Sequence, residues 1–192
     1  YTYGTEYNPK IKKGEFTSIV TSRGCPFNCK FCSRNSISMK NYRLRSAKNV
    51  LQELKQIYNE GYKYVAFVDD SFISNKKQAN EIFDGIIKEK IDMKYVSFGV
   101  RVDAADEELF KKMKKAGVTS IYFGLESGNQ DILDFYNKKT TLEKIRYAIN
   151  LSHKVGCFNV GSFIFGAPVG TKKHFEKTMD SSFDFAQRVE PV

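Results

Sequence analysis

The chain has 192 residues, enough for one domain with a sizeable core. Its 41% hydrophobic, 28% charged and 14% aromatic content excludes a disordered or collagen-like chain, and no apolar run approaches the roughly 18 residues that cross a bilayer. The 31 Lys and Arg against 22 Asp and Glu give a net charge of +9, yet the lysines are scattered along helical segments as solvated faces, so charge alone names no nucleic-acid partner.

Residues 1–15 (YTYGTEYNPKIKKGE) are polar, lack a hydrophobic period and read as a linker. Because the chain opens at Tyr1 without Met, it is expected to be cut from something longer, with a domain before the linker and one core domain over 16–192. From Phe16 a βα rhythm begins. Strands are expected at Phe16–Thr21, Tyr64–Val68, Tyr95–Val100, Thr119–Leu125 and Phe158–Phe165, each followed by a segment of helical period.

Ser46 caps a helix whose apolar face is Val50, Leu51, Leu54 and Tyr58, stopped at Gly61; Asn75 starts another with Ala79, Ile82, Phe83, Ile86 and Ile87. The third runs from Asp106-Glu107-Glu108 to Lys114-Lys115-Gly117, matching charge to dipole at both ends. Thr140 with Glu143 forms a capping box before Ile145, Ala148 and Ile149, with a stop at Gly156. A last helix carries Phe175, Met179, Phe183 and Ala186, and Val189–Val192 starts a sixth strand. The alternation predicts an α/β fold of parallel strands, either doubly wound or a partial barrel, with function gathered at the carboxyl ends of the strands.

Four cysteines are unevenly placed: Cys25, Cys29 and Cys32 fall within eight residues just after the first strand, and Cys157 stands alone as a small core residue. A disulfide framework would spread them, so the cluster points to metal or redox chemistry in a reducing compartment, and a cytoplasmic location is expected. The C-x3-C-x2-C spacing admits three readings. A structural zinc site lacks a fourth ligand, since His153 and His174 lie far off; a dithiol of Cys29 and Cys32 leaves Cys25 unexplained; an iron–sulfur cluster on three thiolates keeps one iron open for another ligand.

Here the sequence resembles the radical S-adenosylmethionine (radical SAM) superfamily, on the three cysteines with Phe31 just before the last. It looks most like the branch that carries a cobalamin-binding domain before the radical SAM domain. That likeness rests on Thr21–Cys29, Tyr42–Ser46, Phe67–Phe72, Phe123–Gly128 and Gly161–Pro168. The resemblance implies a partial (β/α)6 barrel and a [4Fe-4S] cluster on Cys25, Cys29 and Cys32. SAM would sit on its open iron and be cleaved reductively to a 5′-deoxyadenosyl radical. It also implies an electron donor such as flavodoxin or ferredoxin, a substrate that is not disclosed, and cobalamin brought by a domain outside this chain.

The remaining site residues follow from the same likeness. Asp69-Asp70-Ser71 replaces the Gly-Gly-Glu type motif of many relatives, and would accept from the SAM ammonium or line the substrate cavity; a polar turn before a helix is the plain alternative. Arg101, ending the third strand, would face the SAM carboxylate or a substrate anion. Glu126 in Gly-Leu-Glu-Ser-Gly, with Ser127 beside it, matches the residue that accepts from ribose hydroxyls or the ammonium, and Lys138 the cation for the SAM carboxylate. Phe31 and the Gly161–Pro168 segment, Gly166 and Pro168 within it, would contact adenine. The competing functions are a radical SAM methylthiotransferase acting on tRNA or a ribosomal protein, and a non-enzymatic iron–sulfur or zinc module that senses redox state. Against the first, such enzymes resemble Gln-Ser-Gly where this chain has Glu126-Ser127-Gly128.

Overall fold

A computed structural model describes residues 14–38, 41–170, 180–182 and 184–185, without the side chains of Asn35 and Ser38. The expected last helix with Phe175, Met179, Phe183 and Ala186, residues 1–13 of the linker, and Val189–Val192 lie outside the described residues.

Five of the strands are β1 (Phe16–Ile19), β4 (Tyr64–Phe67), β5 (Lys94–Val100), β6 (Val118–Glu126) and β7 (Phe158–Phe163). They form one parallel sheet in the order β1-β4-β5-β6-β7, the sequential order of a partial (β/α)6 barrel. The helices between them are α2 (Ala47–Asn59), α3 (Lys76–Lys88), α4 (Glu107–Lys115) and α6 (Leu142–Lys154). Three further pieces had no clear hydrophobic period: a two-residue antiparallel ladder of β2 (Ser22–Arg23) with β3 (Arg43–Leu44), and the short helices α1 (Arg34–Ser38) and α5 (Gln130–Phe135).

Alternation along the strands divides the sheet into two faces. Val65, Phe67, Tyr95, Ile121, Phe123 and Leu125 are buried in one core with Leu54, Ile82, Phe83, Phe110 and Ile145 of the helices. Within it the Phe67 ring stacks on Phe72 (4.5 Å between centroids, 11° between planes) and on Tyr95 (5.5 Å, 19°). The other face carries, in register across the sheet, Ser18, Ala66, Val96, Ser120 and Phe158. One step toward the carboxyl ends Phe98 lies against Tyr122 (4.2 Å, 30°).

Capping fixes where the helices begin. The side chains of Ser46, Asn75 and Asp106 accept from the backbone N–H of Asn49, Gln78 and Leu109. For α6 the cap is Thr141, which accepts from Lys144 N, and not Thr140. The helix starts one residue later than the sequence suggested because the Thr140 carbonyl accepts from Gln130 Nε2 (3.0 Å) and its hydroxyl is buried without a partner. Glu143 therefore stands one position short of closing a capping box. On α2 the buried stripe is Val50, Leu54 and Ile57, so Tyr58, one residue round the helix, is left exposed. Gly117 ends α4 at φ +106°, where a Cβ would meet Met93 O at 2.4 Å, so only glycine allows the chain to drop back into β6.

Candidate active site

All the expected site residues lie at or beyond the carboxyl ends of the parallel strands. The cysteine loop follows β1 and is tied down by the acidic pair that follows β4. The buried Asp69 carboxylate accepts from Thr21 N (3.1 Å), the Thr21 hydroxyl (2.9 Å), Ser22 N and the Ser22 hydroxyl (2.5 Å). Asp70 accepts from Gly24 N (3.2 Å) and pairs with Arg34 Nε (2.8 Å), which lies beyond the last cysteine. The loop is thus clasped on both sides of Cys25, Cys29 and Cys32. Lys30 N donates to Tyr136 O (2.9 Å) and Asn137 Nδ2 to Asn28 O (2.8 Å), which joins the loop to the turn after α5. Burial pushes the Tyr42 hydroxyl above its ordinary pKa, partly offset by its hydrogen bond with Ser22; Asp69 and Cys25 add to the upward shift. Ser71 is buried and shares a hydrogen bond with Ser74 (2.6 Å), serving the turn into α3.

Glu126 and Lys138 meet as a buried ion pair. Lys138 Nζ donates to Glu126 Oε1 at 2.6 Å, with the residues 4% and 7% exposed. Two backbone irregularities aim them at each other. Glu126 ends β6 at φ +67°, a left-handed conformation rare outside glycine, where the register with β7 shifts and its carbonyl accepts from Ile164 N (2.8 Å). Lys138 is flanked by Asn137 and Lys139, both at φ +54°. Gly124 leaves room for the pair, since a Cβ there would lie 2.6 Å from Glu126 Oε1 and 3.0 Å from Lys138 Nζ. Lys138 Nζ also stands 5.8 Å from the centre of the Phe31 ring, whose edge meets Tyr136 at 5.1 Å. Burial and then the Glu126 charge raise the Tyr136 hydroxyl above its ordinary pKa.

Arg101, just past β5, is buried and donates three hydrogen bonds. Nε donates to Asp103 Oδ1 (2.9 Å), one terminal nitrogen to Cys29 Sγ (3.5 Å) and the other to Lys138 O (2.5 Å), while the guanidinium carbon stacks 3.7 Å from the Phe27 ring centre. Ser127 serves packing: its hydroxyl pairs with Ser182 (2.9 Å) and accepts from Asn129 N. Gly166, at φ +88°, and Pro168 are exposed on either side of buried Ala167, which packs on Ile132 and Tyr136 and so lays this segment over α5. Cys157 is buried beneath the sheet, its thiol directed at Val118 O and raised in pKa by burial.

All three loop cysteines are free thiols; Cys29 is buried, while Cys25 and Cys32 are partly exposed. Among the described residues no group of three or more His, Cys, Asp or Glu side chains is gathered closely enough to hold a metal ion. The donor set nevertheless fits a thiolate-bound cluster in its chemistry: three thiols on one clasped loop, one of them receiving a hydrogen bond from an arginine.

The acidic pair, Arg101, Glu126 and Lys138 were legible as site candidates in the sequence, whereas Gly124 and Phe27 stood only within the family-like stretches with no role of their own, and Asn137 and Tyr136 were not singled out. Gly124 carried a signal, since two residues before Glu126 on a strand is the same face. Tyr136 and Asn137 carried none, because α5 is too short to show a period.

A family profile described as the radical SAM superfamily matches residues 19–181. An uncharacterized methyltransferase, PH0819 of Pyrococcus horikoshii, is 37% identical over 177 residues, covering 90% of this chain and 38% of its own length. The chain therefore spans well under half of that relative. The cobalamin-dependent S-adenosylmethionine radical enzyme OxsB, solved with aqua-cobalamin, superposes with a TM-score of 0.73 over 88% of this chain and 26% of its own, at 23% identity. The radical S-adenosylmethionine methyltransferase TsrM from Kitasatospora setae, with tryptophan and a SAM analog bound, gives 0.82 over 92% and 34%, at 18% identity. At these identities the two structures establish likeness of fold.

Proposed function

Because this chain belongs to the radical SAM superfamily, we propose that it forms the core of an enzyme that binds a [4Fe-4S] cluster through Cys25, Cys29 and Cys32 and cleaves SAM reductively. The observation that carries this reading is the buried Glu126–Lys138 pair beside Phe31 and the cysteine loop. A carboxylate and an ammonium held 2.6 Å apart complement the two charges of an α-amino acid, so the methionine end of SAM can exchange partners with them at little desolvation cost. A cluster held by Cys25, Cys29 and Cys32 and reduced by one electron from an external donor would supply that electron to the sulfonium of SAM, whose sulfur–carbon bond to the ribose would break to give methionine and a 5′-deoxyadenosyl radical.

In this reading Lys138 receives the carboxylate, Glu126 the ammonium or ribose hydroxyls, and Phe31 with the Gly166–Pro168 segment the adenine. Asp69 and Asp70 hold the cysteine loop against β4, and the aromatic face of Phe98 and Tyr122 borders the space in which a substrate meets the radical. The relatives whose names include methyltransferase and cobalamin support methyl transfer by the whole protein; in this reading residues 1–15 are a linker, cobalamin is brought by a domain outside residues 16–192, and a reduced flavodoxin or ferredoxin is the electron donor.

Anaerobic reconstitution with iron and sulfide tests the ligand assignment. The unsubstituted protein should gain broad visible absorption and about four irons per chain. Cys29→Ala should lose both while keeping its secondary structure, because Cys29 is not part of the main hydrophobic core. A Cys29→Ala protein that loads the same iron with the same spectrum would contradict the reading.

A further inference from the structure

We infer that Arg101 is a positioning residue for the cluster, holding the Cys29 sulfur and the Lys138 backbone with one guanidinium and making the cluster easier to reduce. The inference rests on the proposed function and assigns Arg101 away from SAM. Its planar fork is already distributed among three segments: Asp103 just past β5, Cys29 on the cysteine loop, and the Lys138 carbonyl on the turn after α5. Phe27, from the cysteine loop itself, covers one face of the fork. Three of its five N–H donors are thus turned to groups of the protein, and Lys138, whose ammonium meets one carboxylate, Glu126, and stands near the Phe31 ring, is the cation better placed for a ligand carboxylate.

The contact with Cys29 has a redox consequence. Reduction adds an electron to the cluster, and that negative charge spreads onto the ligating sulfurs. A fixed positive donor 3.5 Å from one sulfur stabilises the reduced state more than the oxidised one. Asp103 offsets part of that charge from the opposite edge, but it lies on the Nε side and leaves the sulfur facing N–H groups. Through the bond to Lys138 O, the same side chain keeps the ammonium for SAM in register with the sulfur that holds the metal. An arginine does this where a lysine cannot, because only a fork reaches sulfur and carbonyl together.

The test is a redox titration of the reconstituted protein, followed by electron paramagnetic resonance, for the unsubstituted chain, Arg101→Gln and Arg101→Lys. Arg101→Gln should make reduction about tenfold less favourable, a midpoint about 59 mV more negative, and Arg101→Lys, which keeps the charge without the fork, should fall between. If Arg101→Gln fails to retain a cluster, the lysine variant decides alone: a more negative midpoint supports the inference and an unchanged one overturns it. Loaded variants that both titrate at the unsubstituted midpoint overturn it as well, and leave the functional reading standing. Failure of the unsubstituted protein to take up a cluster would instead overturn the functional reading and this inference with it.

Discussion

Glu126 holds a left-handed backbone conformation that costs an ordinary residue about 1–3 kcal/mol, and it does so with its carboxylate buried against Lys138. Strain and a buried charge at one position are features that packing alone does not require, and both are accounted for if the carboxylate serves a ligand. Replacing it by Gln keeps the shape and removes the charge from hydrogen bonds worth roughly 1.5–3 kcal/mol, so SAM affinity should fall about tenfold or more. Glu143→Gln, in the exposed first turn of α6, should leave affinity unchanged in the same titration. Equal SAM binding by Glu126→Gln and the unsubstituted protein would remove Glu126 from the site. Glu126 was legible in the sequence because a glycine-flanked strand end marks it, and Lys138 only through the family likeness. Their pairing was not, since it depends on a register shift beside Gly124 and on two left-handed residues around Lys138. Arg101 shows the same limit: its place at the end of β5 could be read, whereas its partners come from three separate segments.

The elements themselves were the most legible level, for a physical reason. Each long helix lies on one face of the sheet and so shows an uninterrupted apolar stripe, and Ser46, Asn75 and Asp106 mark three helix starts. The ladder of β2 with β3, and helices α1 and α5, bury too little to leave such a pattern, yet α5 leads into the turn that meets the cysteine loop. Asp106 offers a test at this scale. The hydrogen bond from Leu109 N, then that from Lys76, holds its carboxyl below the ordinary 3.8. Its stabilisation is therefore fully present above the ordinary carboxylate pKa and lost as pH falls through the lowered folded value. Asp106→Ala should cost about 1 kcal/mol in urea melts at pH 7, and the gap should narrow as pH falls below the ordinary 3.8 and through the lowered folded value, where the carboxylate takes up its proton. A gap that persists unchanged at pH 2 would show that charge at this cap contributes nothing.

At the scale of the whole molecule, a parallel sheet divides the work: helices cover one face and supply the core, while the other face and the carboxyl ends carry the aromatic pair, the ion pair and the three thiols. Among the described residues no helix is long and apolar enough to cross a membrane. The central claim is that these strand ends hold SAM so that it can be cleaved. It is tested most directly by reducing the reconstituted protein with dithionite in the presence of SAM and without any added substrate, then measuring 5′-deoxyadenosine and methionine by mass spectrometry. The account predicts that both products form in equal amounts and disappear in Cys29→Ala. A protein that carries a reduced cluster and leaves SAM intact would contradict it.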